Sequence, residues 1–186
     1  MDPLTRLQAG VDQARPIVAA VGEGDYAKAT PCAEWNVRQV LGHMIGVLVM
    51  FRDIGTQGQA DPEVLAQDQV GTNAAESFDA AGKAAVAAWS DPDKLAGMAM
   101  LPTGEIPAQF ALQILATDMV VHGWDVASAT GQRVEWNPEL VAETLQFSES
   151  TFNVPEMRGS EFQPPVPVPD DADDLSRLVA FLGRQP

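Results

Sequence analysis

The chain contains two histidines, His43 and His122, and each lies in a stretch whose apolar spacing predicts a helix. Asp118 precedes His122 by four residues. On an α-helix that spacing amounts to about 40° of rotation and ~6 Å of rise, so both side chains can converge on one point. One helix supplying two donors in this way is a recurrent route to a metal centre. If the helix bearing His43 packs against it, the set becomes two imidazoles and one carboxylate, with a position left for water or substrate. The carboxylate offsets part of the charge of a divalent ion and neutral imidazole suits a borderline-soft one, which favours zinc, with nickel as its rival. The same residues admit a plainer reading: a hydrogen-bonded core histidine beside an Asp118–His122 helix pair, with no ion. Burying three polar groups without partners costs roughly 1–3 kcal/mol each, so a shared partner is favoured in either reading.

These side chains need helices to hold them, and the apolar periodicity supplies several. Leu4, Leu7, Val11, Ala14, Val18 and Val21 recur at three- and four-residue spacing behind Asp2 and Pro3, predicting a first helix over 3–21. Asn36, with Gln39 three residues on, caps a second helix over 37–53, whose stripe of Val40, Leu41, Met44, Val47, Leu48 and Phe51 includes His43. A loop rich in Gly, Gln and Asp covers 54–70, and an alanine-rich third helix runs over 72–89. Residues 98–107 fit a short hairpin around Thr103-Gly104-Glu105. A fourth helix starts near Pro107, carries Phe110, Ile114, Leu115, Met119, Val121 and Val126, and stops at Gly131. A fifth opens at Asn137-Pro138 and reaches 152. A Pro-rich strap over 155–171 leads to a last amphipathic helix over 172–183. The expected architecture is all-α, one domain over 1–186.

Composition narrows the function classes. With 11 Lys and Arg against 26 Asp and Glu, the formal net charge is −15, which repels nucleic-acid phosphates and anionic lipid headgroups. Neither nucleic acid nor a membrane is an expected partner. The apolar stretch 45–51 is far shorter than the roughly 18 residues of a membrane span, and the N-terminal residues do not form a signal-peptide core. A cytoplasmic location follows as the expectation. The single cysteine, Cys32, makes no internal disulfide.

The motifs together resemble a known family. Thr30-Pro31-Cys32-Ala33-Glu34-Trp35-Asn36-Val37, Leu41-Gly42-His43-Met44-Ile45-Gly46, the run from Asp118 through His122-Gly123-Trp124-Asp125 to Ala127, and the ending from Arg177 to Arg184 are similar to a DinB-like metal-binding family. Its members look like the N-terminal domain of mycothiol-dependent maleylpyruvate isomerase. The resemblance implies a four-helix bundle with a crossover connection, holding a divalent ion between helices. The ligand triad it implies falls on His43, Asp118 and His122. The isomerase has glutamate where this chain has Asp118, one methylene shorter, which bears on the position of the ion. The isomerase also carries a C-terminal domain that contributes to its substrate site, so the expectation here is a related reaction rather than maleylpyruvate isomerisation itself.

That expectation is a metal-dependent, thiol-using isomerase or transferase acting on a small electrophilic substrate, with a low-molecular-weight thiol such as mycothiol as partner. A divalent ion strongly increases the acidity of a coordinating thiol. Hydrolysis by activated water is a second route, for which the ligand motif offers no additional glutamate base. A non-catalytic metal-binding or small-molecule-binding module on the same fold is the alternative, since fold does not dictate function. A homodimer is compatible with the sequence. Among the remaining residues, Cys32 reads as a packing residue ahead of a reactive thiol, and Trp35 as a staple of the incoming chain ahead of a pocket wall. Asp125 reads equally as a carboxylate orienting His122 or as a solvated helix-end acid. Arg158 and Arg184 read as structural ion pairs ahead of contacts to an anionic substrate.

Overall fold

In the computed structural model, which describes residues 1–154, 158 and 162–186, three of the four long helices begin at a side-chain cap. Asp2 accepts hydrogen bonds from the amides of Leu4 and Thr5 at the start of α1 (Pro3–Ala19). Asn36 and Gln39 cap one another's backbones at the start of α2 (Val37–Gln57), each bond 2.9 Å long. Asn73 caps α3 (Ala74–Ala88). A short helix, α4 (Pro92–Leu95), was not expected from the sequence, where Ser90-Asp91-Pro92-Asp93 reads only as a helix end; Asp91 caps it, with proline in its first turn. The hairpin is present as β1 (Met98–Leu101) and β2 (Gly104–Pro107), antiparallel with Leu101 opposite Gly104. Then follow α5 (Ala108–Thr130), α6 (Pro138–Thr151) and α7 (Asp174–Phe181).

Apart from α4, helix existence and order match the sequence reading, and the ends shift by a few residues. The largest difference is at α2, which continues four residues past the expected end at 53, to Gln57, because Ile54 and Gly55 are still buried and Gly58 supplies the left-handed cap. The loop over 54–70 is correspondingly shorter and contains a 3-10 turn at Val64–Ala66. Part of the Pro-rich strap, 155–157 and 159–161, lies outside the described residues. Its later part docks on α7 through Val166 N–H donating to the Ala180 carbonyl at 2.9 Å.

Around the bundle, α1 packs on α3 and α5, and α2 packs on the same two helices. Consecutive helices α1 and α2 therefore sit diagonally, and the connection between them crosses the end of the bundle. The core between these four helices includes Leu7, Val11, Leu41, Met44, Leu48, Phe78, Leu112, Leu115 and Met119. A second apolar cluster, with Val120, Val121, Leu140, Phe147, Phe152, Leu178 and Leu182, joins α6 and α7 to the far side of α5. Covered on both sides, α5 is buried all round from Leu115 to Ala127 with few exceptions, so any polar group on it must find partners inside. The helices of the described residues include none long and apolar enough to cross a membrane.

Candidate metal centre

The packing of α2 against α5 brings His43 to Asp118 and His122. His43 Nε2 lies 3.0 Å from Asp118 Oδ2, and His122 Nε2 lies 3.3 Å from Asp118 Oδ1. One ligating atom from each of the three residues falls within 4.8 Å of the others. A tetrahedral zinc with bonds of ~2.0 Å has ligand–ligand edges of about 3.3 Å, close to these spacings. The His43 and Asp118 side chains are 18% and 16% exposed and His122 is fully buried, so the cluster is anchored in the core and open on one side.

The two ring nitrogens of His122 have different fates. Nδ1 is 2.9 Å from Asp125 Oδ2. Burial by itself would raise the Asp125 pKa, but His122 and Arg184 outweigh it and hold the carboxyl below its ordinary value. Ionised Asp125 can only accept, so Nδ1 carries the proton and donates. Nε2 is buried, faces Asp118, and has no hydrogen-bond partner among the described residues. A buried nitrogen with a lone pair, one ring position from a fixed N–H, is the form in which histidine ligates metal. Without an ion the same atom takes up a proton instead: burial opposes the charge, yet Asp118 and Asp125 more than compensate and raise the His122 pKa to about 9. Asp118 is itself held well below the usual carboxylate range; burial would raise it, and His43 and His122 pull it down.

Arg184 completes this arrangement from the opposite end of the chain. Its Nε and Nη2 donate to the two oxygens of Asp125 at 3.2 and 3.0 Å, with Arg184 2% exposed and Asp125 fully buried. The turn that delivers it requires Gly183, at φ +86°, where an added Cβ would lie 2.5 Å from Gln163 Cβ and 2.6 Å from the Gln163 carbonyl oxygen. Asp125 is thus the carboxylate that orients His122, not a solvated helix-end acid, and Arg184 is the structural ion pair the sequence suggests.

The crossover segment before α2 walls one side. Thr30 Oγ1 donates to the carbonyls of Trp35 and Cys32 at 2.7 and 3.1 Å and closes the Thr-Pro-Cys turn on itself. This aims the Trp35 ring at the histidines, with centroids 4.7 Å from His43 and 5.7 Å from His122. Trp35 is therefore a pocket wall as well as a staple on the core, correcting the sequence preference for the staple alone. Cys32 is 7% exposed, as expected of a packing residue, though its sulfur lies within 4.8 Å of ligating atoms of His122 and Asp125. That second donor set is buried throughout, and its Asp125 is already engaged by Arg184.

Two cavities meet at His43. One, of about 630 Å³, runs between α2 and the 65–70 loop and is lined by polar groups of Arg38, Gln39, Gln67, Asp68 and Gln69. The other, of about 410 Å³, is mostly apolar and reaches Asp118. Leu65 lines both. Nothing in the composition of the 54–70 loop marks Leu65, because loop residues acquire their neighbours only when the helices pack.

Against known proteins, residues 7–127 match the family described as the mycothiol maleylpyruvate isomerase N-terminal domain. The chain belongs to this family. As a member, it is 31% identical over 186 residues to the uncharacterized protein Rv0738 of Mycobacterium tuberculosis (strain ATCC 25618 / H37Rv), covering 99% of this chain and 98% of that one. The uncharacterized protein MT0763 of Mycobacterium tuberculosis (strain CDC 1551 / Oshkosh) matches with the same identity and coverage. Its fold is similar to crystal structures of mycothiol-dependent maleylpyruvate isomerase, with a TM-score of 0.57 and 16% identity, over 80% of this chain and 68% of that one. A histidine-to-alanine mutant of the isomerase gives a TM-score of 0.58 and 17% identity over the same shares. The shared framework agrees with the DinB-like bundle expected from the motifs.

Proposed function

We propose that this family member binds a divalent metal ion, zinc in preference to nickel, through His43, Asp118 and His122, and uses it with a low-molecular-weight thiol of the mycothiol type to isomerise or conjugate a small electrophile. The observation that carries the reading is His122: a fully buried imidazole whose Nδ1 is fixed by Asp125 and whose Nε2 is left aimed at Asp118. A donor set of two imidazoles and one carboxylate is the composition of a catalytic rather than a closed structural zinc site.

An ion held there supplies the positive charge that favours the thiolate form of a bound thiol. The protein's own groups supply the rest. Asp125 and Arg184 keep the His122 ring in one tautomer and one orientation. Trp35 stands against the His43 ring, 4.7 Å between centroids, and walls that side of the site. The polar cavity along Arg38, Gln39 and Gln67 suits a hydroxyl-bearing thiol, and the apolar cavity beyond Asp118 suits the electrophile, so two reactants reach His43 from different directions.

Elemental analysis of untagged protein beside a His43→Ala variant tests the first half of this reading. About one equivalent of zinc or nickel in the parent, lost in the variant, is the expected result. No ion in either after reconstitution with several divalent metals overturns it and leaves a binding module built on a buried His–Asp network. Given the ion, thiol-dependent turnover of electrophiles separates an enzyme from a module, which shows saturable binding and no product.

A further inference from the structure

In a chain with 26 acidic and 11 basic residues, a cation is expected to find a carboxylate beside it. Most of the basic side chains make ion pairs, among them Arg6, Arg15, Arg38, Arg52, Lys83 and Arg184. Arg158 makes none among the described residues, and it lines the apolar cavity of about 410 Å³ that reaches His43 and Asp118. Its Nη1 donates to the carbonyls of Gln163 and Phe181 at 3.0 and 2.8 Å, and its guanidinium carbon stands 4.7 Å from the centre of the Phe181 ring. The group is therefore held in place by neutral partners. The Nε and Nη2 edge, the fork that matches a carboxylate with two parallel bonds, makes no hydrogen bond among the described residues. Burial without a counter-ion also holds the Arg158 pKa below its ordinary value, as expected of a cation short of compensation.

Apart from His43, Asp118 and Thr103, the rest of the wall is apolar, with Phe51, Ile114, Leu115, Phe152 and Phe162 prominent, and Arg158 is the only arginine or lysine among the described residues that line it. We propose that this cavity selects an elongated apolar monocarboxylate, its carboxylate on Arg158 and its hydrocarbon against the aromatic wall, leaving the far end beside His43 and Asp118. The sign of the charges sets the orientation. Asp118 repels a carboxylate at its own end, and the strongly negative surface repels it elsewhere, so Arg158 is where the anion is compensated. The volume lies in the ordinary range for a small-molecule site. The proposal deepens the functional reading by naming the carboxylate and apolar body that the electrophile carries, its reactive group standing at the end away from the carboxylate, and it rests on that reading for the reaction at that end. Arg158 reads from the sequence as a structural ion pair; among the described residues no carboxylate pairs with it, which is what opens this role.

Binding to chelator-treated full-length protein tests it without a metal, so its failure is separable from failure of the metal centre. Octanoate, octanamide and fumarate are titrated by calorimetry into the parent and into Arg158→Gln and Arg158→Lys. The expected result is saturable binding of octanoate, with octanamide and fumarate each weaker by about tenfold or more. Arg158→Gln should lose octanoate affinity by about the same factor while leaving octanamide unchanged, and Arg158→Lys should fall between, keeping the charge without the fork. Equal binding of octanoate and octanamide by the parent, tighter binding of fumarate, or no saturable octanoate binding overturns the proposal. These comparisons are made on the parent and do not depend on how either variant folds.

Discussion

At the scale of single residues, the centre depends on a chain of hydrogen bonds running from Arg184 through Asp125 to His122. Replacing Asp125 with asparagine keeps the shape but removes the charge that fixes the Nδ1 proton. Metal affinity in Asp125→Asn is expected to fall about 10–100-fold, read by competition with a chromophoric chelator. Arg184→Gln leaves the Asp125 carboxylate buried and short of its counter-ion, and should lower stability by about 3 kcal/mol in urea unfolding. Unchanged affinity in the first variant would remove Asp125 from the account of the site. The carboxylate at 118 and both histidines were legible as candidate donors from residue type and spacing. Asp125 was undecided, because whether an acid three residues past a histidine is solvated depends on what covers it, and what covers it is Arg184, 59 residues away in sequence.

At the scale of elements, positioning rests on how helices end and on what ties them together. Gly183 ends α7 in a left-handed turn against the Gln163 backbone, and the next residue is Arg184. Gly183→Ala combines strain at positive φ with a contact no real Cβ makes, so it should lower the melting temperature and weaken metal binding together, although residue 183 touches neither histidine. A variant that melts earlier yet binds metal normally would uncouple the turn from the site. On the other face, Glu143 on α6 accepts from Arg6 Nη2 on α1 at 2.7 Å. Burial would raise the Glu143 pKa, but the terminal ammonium and Arg6 outweigh it and lower it below 4.5. A carboxylate whose folded pKa is depressed stabilises the fold above its unfolded value, and that contribution is lost as pH falls through the folded one. Glu143→Gln should therefore melt earlier than the parent near neutral pH, with the gap closing progressively below pH 4.5; a gap independent of pH would deny the ion pair its role. Caps and periodicity made the helices legible, and even the hairpin was readable from Thr103-Gly104-Glu105. The continuation of α2 to Gln57 was not, since Ile54 and Gly55 are buried by neighbours that local sequence does not name.

At the scale of the whole molecule, the ion would join α2 to α5 across the bundle core, so binding and folding are coupled. Zinc at 100 times its dissociation constant adds about 2.7 kcal/mol of stability when only the folded state binds. For a chain of this size that is a rise of roughly 5–10 °C in melting temperature. Differential scanning calorimetry of metal-free and zinc-loaded protein should show it, and the His43→Ala variant should show none. Equal shifts in both would place the ion elsewhere. The net charge of −15 excluded nucleic acid as an expected partner at the outset, and the same charge makes a lone cation lining an apolar wall conspicuous.

Residue types and short-range spacing determined the helical class, the order of the helices, the capping of α1 and α2, and the pairing of Asp118 with His122 on one helix face, because each of these is set by neighbours within a few positions along the chain. The resemblance of the motifs supplied the family, which the match over 7–127 bears out. Tertiary structure decided what stands between the elements: the approach of His43 to Asp118 and His122, the Arg184 clamp on Asp125, Trp35 as a wall over both histidines, the two cavities meeting at His43, and Arg158 lining one of them with no ion pair among the described residues. Each of those joins segments far apart in sequence, and its partners are defined only when packing buries one surface against another and leaves polar groups to be satisfied by whatever the fold has brought near.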